Sequence, residues 1–143
     1  MAGSDAGAVV GRGRPSLLRL QHVALNVGEL QACERFYREI LGLEVIWRPD
    51  EDSVYLTNGS DNLALHRSPQ ARTPVPQSLD HIGFALEDES AVDAWHDYLS
   101  VHGVAIVAPP RTHRDGTRSL YCKDPDGNTV QLLYEPRAAA SRE

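Results

Sequence analysis

The most constraining feature of this sequence is an internal repeat. A strand-like stretch at residues 20–27 carries His22 near its start, and a second at residues 79–86 carries His81 near its start. A helix-like segment, a glycine and several short strand-like segments follow each of them. Self-similarity of this kind indicates two copies of one supersecondary unit. If the copies are equivalent, His22 and His81 occupy equivalent positions and face each other across one site.

Two amphipathic helices are predicted, at residues 29–41 and 88–102. Their apolar residues recur at steps of three and four, as one face of a helix does. Gly42 and Gly103 follow where a left-handed C-cap is needed, and Asp88 or Ser90 is suited to the N-cap of the second helix. Twenty residues separate His22 from Gly42 and 22 separate His81 from Gly103, so the two units match in length.

The remaining segments predict three strands in each unit. Residues 49–52 are expected to form a turn and residues 109–116 a loop, because both contain prolines among polar residues. The predicted strands are residues 43–47, 53–57 and 63–66 in the first unit and 104–108, 119–123 and 129–135 in the second. The element order predicts an α+β fold of two tandem βαβββ modules. Pairing the modules buries the sheet face that each would leave bare.

The predicted boundaries divide the chain into one domain with two tails. Residues 1–16, rich in Gly, Ala and Ser without a signal-like apolar core, are expected to form a disordered leader. The single domain spans 17–135, with module one at 19–67, a proline-containing linker at 68–78 and module two at 79–135. Residues 136–143 are expected to be a frayed tail.

Composition excludes two classes of partner. A formal net charge of -6 disfavours nucleic-acid binding, which usually needs a basic face. No run approaches the roughly 18 apolar residues of a membrane helix. Cys33 and Cys122 lie in apolar-patterned segments and are expected to be small buried residues without a disulfide, which fits a cytoplasmic protein.

Several of these residues together resemble the vicinal oxygen chelate superfamily. They are His22, Phe36-Tyr37, Leu41-Gly42, His81, Gly103, Tyr121 and Asp124-Pro125-Asp126-Gly127-Asn128. This superfamily includes glyoxalase I, bleomycin-resistance proteins, fosfomycin-resistance enzymes, methylmalonyl-CoA epimerase and extradiol dioxygenases. The resemblance covers nearly all of residues 20–135. It implies curved mixed sheets around a cavity, often with a divalent metal ion, and frequently a homodimer.

The resemblance also implies a set of metal ligands. The ligands of the first strand of each module fall on His22 and His81. The ligand of the last strand of module two falls on Gln131, where metal-dependent members usually have Glu, and its counterpart in module one falls on Ala64. The implied ion is Zn, Mn, Ni or Fe. An amide oxygen still coordinates but lacks the carboxylate's charge, so ordinary ring-cleaving dioxygenase chemistry is disfavoured.

Two residues are weaker candidates for a catalytic or compensating role. Glu135 shares a strand face with Gln131, but four strand residues span roughly 13 Å, so Glu135 replaces Gln131 only through a bulge. His66 lies two residues from Ala64 on the same face and is the closer candidate.

Four residues are candidates for substrate binding. The loop at residues 111–119 is similar to the Arg-Asp-Gly-Ser-Arg-Ser run of fosfomycin thiol transferases, and an arginine fork suits carboxylate or phosphonate groups. Arg118 is nearest to a strand, Arg114 lies in the same loop, and Tyr121 is expected to line the pocket. The alternative is a solvated loop. Trp47 is expected in the core or in the pocket wall.

Two functional hypotheses follow. The first is a metal-dependent lyase, isomerase or dioxygenase-like enzyme that chelates a small oxygen-bearing substrate and stabilises an oxyanion. The alternative is a metal-free protein of the bleomycin-resistance kind, which sequesters a small molecule or drug in a dimeric cleft. Both predict a small-molecule ligand, a homodimer, and neither nucleic acid nor membrane as a partner.

Overall fold

The fold is built from two four-stranded mixed sheets. The structure is a computed structural model that describes residues 13–70 and 77–136. The strands are β1 (His22–Val27), β2 (Glu44–Asp50), β3 (Ser53–Thr57), β4 (Asn62–Arg67), β5 (Ile82–Ala85), β6 (Ile106–Thr112), β7 (Arg118–Lys123) and β8 (Thr129–Tyr134). The helices are α1 (Leu30–Arg35), which continues as a π-helical turn (Phe36–Ile40), and α2 (Glu89–Val101).

The two sheets have the same strand order and the same register. The orders are β1-β4-β3-β2 and β5-β8-β7-β6, and in each sheet the first strand of the module runs parallel to the last. The central row of the first sheet is Ala24, Ala64, Tyr55 and Trp47, and that of the second is Gly83, Gln131, Tyr121 and Ala108. The predicted fold class of two βαβββ modules is confirmed.

Both helices form where the periodicity predicts them, but they differ in construction. Asp88 is the N-cap of α2, and its side chain accepts a hydrogen bond from the Ala91 amide at 3.0 Å. The first helix widens at its end, where the Leu41 amide donates to the Phe36 carbonyl at 3.0 Å. That i to i−5 bond marks a π turn, which periodicity alone does not distinguish from an α-helix. Gly42 and Gly103 then close the two helices with positive φ angles of 91° and 72°.

Two strands extend through prolines that were predicted to lie in a turn and a loop. β2 includes Pro49, and β6 includes Pro109 and Pro110. Both strands lie at the edges of their sheets, and their pairing is interrupted by register shifts near these prolines. A proline lacks the N–H that a central strand would use, so it is tolerated at an edge or a bulge. The predictions for residues 49–52 and 109–116 were therefore wrong in part.

The core lies on the helix-facing side of both sheets. One apolar cluster joins residues of the two modules, including Val54 and Leu65 from the first and Leu120 and Val130 from the second. Cys33 and Cys122 are free, fully buried thiols within it. Burial, reinforced by nearby Asp124, raises the pKa of Cys33 to about 12 and that of Cys122 to about 11. The prediction of buried cysteines without a disulfide is confirmed.

A hydrogen-bond network around the β7–β8 turn joins the modules. The buried carboxylate of Asp124 accepts from the Tyr37 hydroxyl at 2.7 Å and from the Asn128 amide at 2.8 Å. Asp126 in the same turn accepts from the backbone N–H groups of Gly28 and Glu29 at 2.9 and 3.2 Å. Module two therefore supplies a carboxylate to the amides at the start of the module-one helix, an end that Glu29 does not cap with its own side chain.

The predicted leader, linker and tail fall largely beyond the described residues. Residues 1–12, 71–76 and 137–143 lie outside them. Within the part of the chain that the structure describes, no helix has the length and apolar character needed to cross a membrane.

Candidate functional site

The candidate site residues lie on the sheet faces opposite the helices. Side chains alternate along a strand, so the register that puts Leu25 and Leu65 in the core puts His22, Ala64 and His66 on the other face. That face is open. β2 is exposed along its whole length, and Trp47 is 58% exposed.

The first half-site centres on His22. Its Nδ1 lies 2.6 Å from Oδ1 of Asn62, its register partner on β4. Its ring stacks at 6.3 Å from Tyr55, which in turn lies 5.1 Å from the Trp47 ring. With the Asn62 amide in this orientation its oxygen accepts from Nδ1–H, which leaves the Nε2 lone pair of His22 for a ligand or a metal ion.

The second half-site centres on His81, immediately before β5. Its Nδ1 lies 2.6 Å from Oδ2 of Asp80, which again assigns the proton to Nδ1 and the lone pair to Nε2. The imidazole meets the Tyr121 ring edge to face at 5.3 Å. Gln131 Nε2 donates to the Tyr121 hydroxyl at 3.0 Å. The amide nitrogen of Gln131 thus faces Tyr121, and its oxygen lies on the side of Gly83.

Gly83 accommodates that amide oxygen. A Cβ at this position would lie 3.2 Å from Gln131 Oε1 and 3.1 Å from a methyl carbon of Leu133. The φ angle of Gly83 is not in the positive range, so close approach is the reason for glycine here. The absence of a side chain leaves room for Gln131 on the open face.

A cleft of about 170 Å³ lies between the two modules at this level. Its walls include His22 and Asn62 from module one and Ile82, Gly83 and Phe84 from β5. The cleft therefore brings His22 to the strand against which Gln131 rests. Of the three predicted ligands, only His22 is in the wall of this cleft; His81 and Gln131 are not.

Neither His66 nor Ala64 belongs to the predicted set of metal ligands formed by His22, His81 and Gln131. His66 Nδ1 lies 2.9 Å from the Ser53 hydroxyl, and its ring meets Tyr55 edge to face at 5.8 Å. Ala64 is fully buried and has no ligand atom. Within residues 13–70 and 77–136, no three His, Cys, Asp or Glu side chains are grouped so as to hold a metal ion. A metal site in this chain thus depends on Gln131 or on groups from another molecule.

Arg118 lies elsewhere than expected for a pocket residue. Its guanidinium makes two hydrogen bonds to the Asp93 carboxylate on α2, at 2.7 and 3.0 Å, and a third to Thr112. The pKa of Asp93 is lowered by this pairing. Since Arg118 and Tyr121 are three positions apart on one strand, they point to opposite faces. We correct the expectation for Arg118 accordingly, because its fork is engaged on the helix side.

The other substrate candidates remain predictions. Arg114 is exposed in the turn between β6 and β7, and Glu135 is half-buried just beyond the end of β8. Trp47 is in the wall of the open face and not in the core. Sequence reasoning missed Asn62, Asp80 and Tyr55. The adjacency of Asp80 and His81 was a usable signal, whereas Asn62 is found only through the β1–β4 register.

Comparison with known proteins identifies the family. The model of the Glyoxalase/Bleomycin resistance protein/Dioxygenase superfamily matches residues 19–132. The chain belongs to this superfamily. It is 31% identical over 116 residues to the metallothiol transferase FosB of Shouchella clausii, covering 79% of the chain and 77% of that relative. It is also 30% identical over 123 residues to biphenyl-2,3-diol 1,2-dioxygenase 3 of Rhodococcus globerulus, covering 82% of the chain and 63% of the dioxygenase.

Solved structures of the superfamily have the same fold. Lactoylglutathione lyase from Agrobacterium tumefaciens matches with a TM-score of 0.68 at 25% identity, over 85% of this chain and 96% of that one. A glyoxalase-related enzyme from Fulvimarina pelagi matches with a TM-score of 0.69 at 23% identity, over 84% and 90%. The likeness to the second structure concerns the fold alone.

Proposed function

We propose that this protein is a metal-dependent enzyme of the superfamily that acts on a small oxygen-bearing substrate. The observation that carries the proposal is the equivalent placement of His22 and His81. In each, Nδ1 is hydrogen-bonded and the lone pair of Nε2 is left to bind a metal ion. The likeness to FosB, which is named a metallothiol transferase, supports metal dependence. The lyase, isomerase and dioxygenase-like reactions of the superfamily all remain within this proposal.

The chemical types of these donors suit a divalent ion. His22, His81 and Gln131 would hold it through two imidazole nitrogens and one amide oxygen, a combination suited to Zn, Mn, Ni or Fe. When bound, such an ion polarises substrate oxygens and stabilises negative charge on them. The three donors are neutral, so an anionic oxygen substrate would be the natural source of charge at the remaining positions.

The surrounding residues would bind and orient the substrate. The Tyr121 hydroxyl, which accepts from Gln131, retains its own proton to donate to a substrate oxygen. Trp47 and Tyr55 offer ring faces for the apolar part of the substrate. On the first sheet, His66 is the candidate for proton transfer, and its Nδ1 is hydrogen-bonded to the Ser53 hydroxyl.

A second copy of this chain is the proposed partner. Ile46 and Trp47 are exposed on β2, which is an edge strand, and an edge strand with exposed apolar side chains can pair with another chain. Mixing His22→Ala with His81→Ala protein tests whether the donors come from two subunits. Shared sites predict recovery of about a quarter of the metal sites on mixing, by random reassortment. No recovery, with a dimer confirmed by sedimentation, places all donors in one chain.

Metal analysis of the purified protein tests the proposal. We expect binding of a divalent metal at one per chain at micromolar concentrations, and its loss in His81→Ala. His96→Ala is the matched control, because His96 is on α2, away from the sheet face. If neither Zn, Mn, Ni nor Fe binds at micromolar concentration, the proposal fails.

The metal-free alternative is favoured by one observation. Trp47, Tyr55 and His22 form a continuous aromatic surface next to Ala64, which has no ligand atom. Such a surface on an acidic protein would suit a cationic, partly aromatic drug. Under this alternative, bleomycin-like compounds bind equally well with and without chelator, and Trp47→Ala weakens that binding. The two free buried cysteines are in keeping with a cytoplasmic location in either case.

A further inference from the structure

We infer that Asp80 is a positioning residue for His81 and also supplies the negative charge that Gln131 does not. This inference rests on the proposed metal-dependent function. It concerns how tightly this chain holds the ion.

The geometry pairs Asp80 with one imidazole only. Asp80 Oδ2 lies 2.6 Å from His81 Nδ1, and the corresponding contact at His22 is made by the neutral Asn62, also at 2.6 Å. Each histidine is thus oriented by an oxygen that accepts from Nδ1, and this oxygen belongs to a charged carboxylate at His81 and to a neutral amide at His22. A carboxylate behind a ligating imidazole fixes its tautomer and raises its basicity, whereas an amide does only the former.

Asp80 would be the source of negative charge next to the proposed metal ligands, because the ligands themselves are uncharged. His22, His81, Gln131 and Tyr121 contribute no formal charge in their ordinary states. Asp80 is therefore the carboxylate in direct contact with the proposed donor set. Its side chain is 92% exposed, so water and salt screen its field. We expect its contribution to be clearest at low ionic strength.

The test is a comparison of metal affinities in folded protein. Asp80→Asn keeps an acceptor for His81 but removes the charge, and we expect it to weaken Zn²⁺ and Mn²⁺ binding roughly tenfold. The matched control is Asp97→Asn, which makes the same charge change at an 88% exposed aspartate beside a different histidine, His96. Dissociation constants are measured by calorimetry with chelator competition, in low and in high salt. The gap between wild type and Asp80→Asn should narrow in high salt.

The charge assignment is tested by coupling to Gln131. If Asp80 supplies the missing charge, Asp80→Asn costs less affinity in a Gln131→Glu background than in wild type, so the two changes are not additive. Asn62→Asp should in turn strengthen binding. Equal affinities for wild type and Asp80→Asn, or strict additivity with Gln131→Glu, overturn the inference while the proposed function survives. A wild-type protein that binds no metal overturns both.

Discussion

The two modules share one framework but carry different side chains on it. Their central rows align residue by residue, yet Tyr55 and Tyr121 are the only identical pair in those rows. Module one has Trp47 where module two has Ala108, and Ala64 where module two has Gln131. The first sheet thus offers an aromatic wall and the second an oxygen donor. Duplication fixes where side chains stand, and divergence decides what each half does.

The two helices also differ, in length and in how their N-termini are capped. α2 is thirteen residues long and is capped by its own Asp88. α1 has six residues before its π turn and receives a carboxylate from Asp126 of the other module. Module two therefore caps its own helix, whereas the helix of module one is capped by a residue of module two. Variants in the two modules test both comparisons.

Equivalence of the half-sites is tested by His22→Ala and His81→Ala. If both imidazoles bind one ion, each variant should lose metal affinity by about a hundredfold or more. Removing a ligand costs more than removing the group hydrogen-bonded behind it, which alone costs roughly 10 to 100-fold. Calorimetric titration measures this, and His102→Ala serves as the control at the end of α2. A large loss for His81→Ala alone would show that only module two provides a site.

The divergent positions are compared by placing Glu at each. Gln131→Glu adds a charged ligand beside Tyr121 and should strengthen metal binding about tenfold or more. Ala64→Glu should instead lower the free energy of unfolding, by about 1–3 kcal/mol or more, because Ala64 is fully buried. Metal titration and urea unfolding distinguish the two outcomes. Tighter metal binding by Ala64→Glu without loss of stability would contradict this view of module one.

Tyr37→Phe tests the joint between the modules. The change deprives the buried Asp124 carboxylate of a 2.7 Å hydrogen bond, and we expect it to cost about 1–3 kcal/mol of unfolding free energy. Urea denaturation is the measurement. Tyr98→Phe, on the exposed side of α2, should change stability much less. Equal effects of the two variants would show that the buried network adds nothing to stability.

Asp126→Ala tests the capping of one module by the other. It leaves the Gly28 and Glu29 amides without their carboxylate, and we expect it to cost about 1 kcal/mol, the typical value of a lost N-cap. Amide hydrogen exchange should show the loss in the first turn of α1, whereas Asp88→Ala should show it in α2. Faster exchange spread evenly over both helices would argue against a local cap.

The buried thiols should make the free energy of unfolding depend on pH. Burial raises the pKa of Cys33 and Cys122 above the ordinary thiol value of 9.0, to about 12 and 11. Their contribution to stability is therefore fully present below pH 9 and is lost as pH rises toward those values. Urea unfolding between pH 8 and 10 should show a steeper decline for wild type than for a Cys33→Ala/Cys122→Ala variant. Parallel curves would contradict it.

The fold of two modules could be predicted from the sequence, because the spacing from the histidine to the glycine is repeated. It failed at β2 and β6, since proline is excluded from central strands but tolerated at edges, and edge position is a tertiary property. Arg118 was misplaced although strand alternation already put it opposite Tyr121, so that error lay in weighing loop similarity above periodicity. Asn62 was beyond reach, because its contact with His22 spans 40 residues and depends on the register of a parallel pair.

The carboxylate that module two supplies to α1 has a consequence for the growing chain. Asp126 is 98 residues beyond Gly28, so the start of α1 has to wait for most of the protein to be synthesised before it meets its partner. Contacts of such long range are closed late and slow the search for the native state. A ribosome-bound fragment ending before the β7–β8 turn should therefore hold module one with a frayed α1. The finished chain should unfold as one cooperative body.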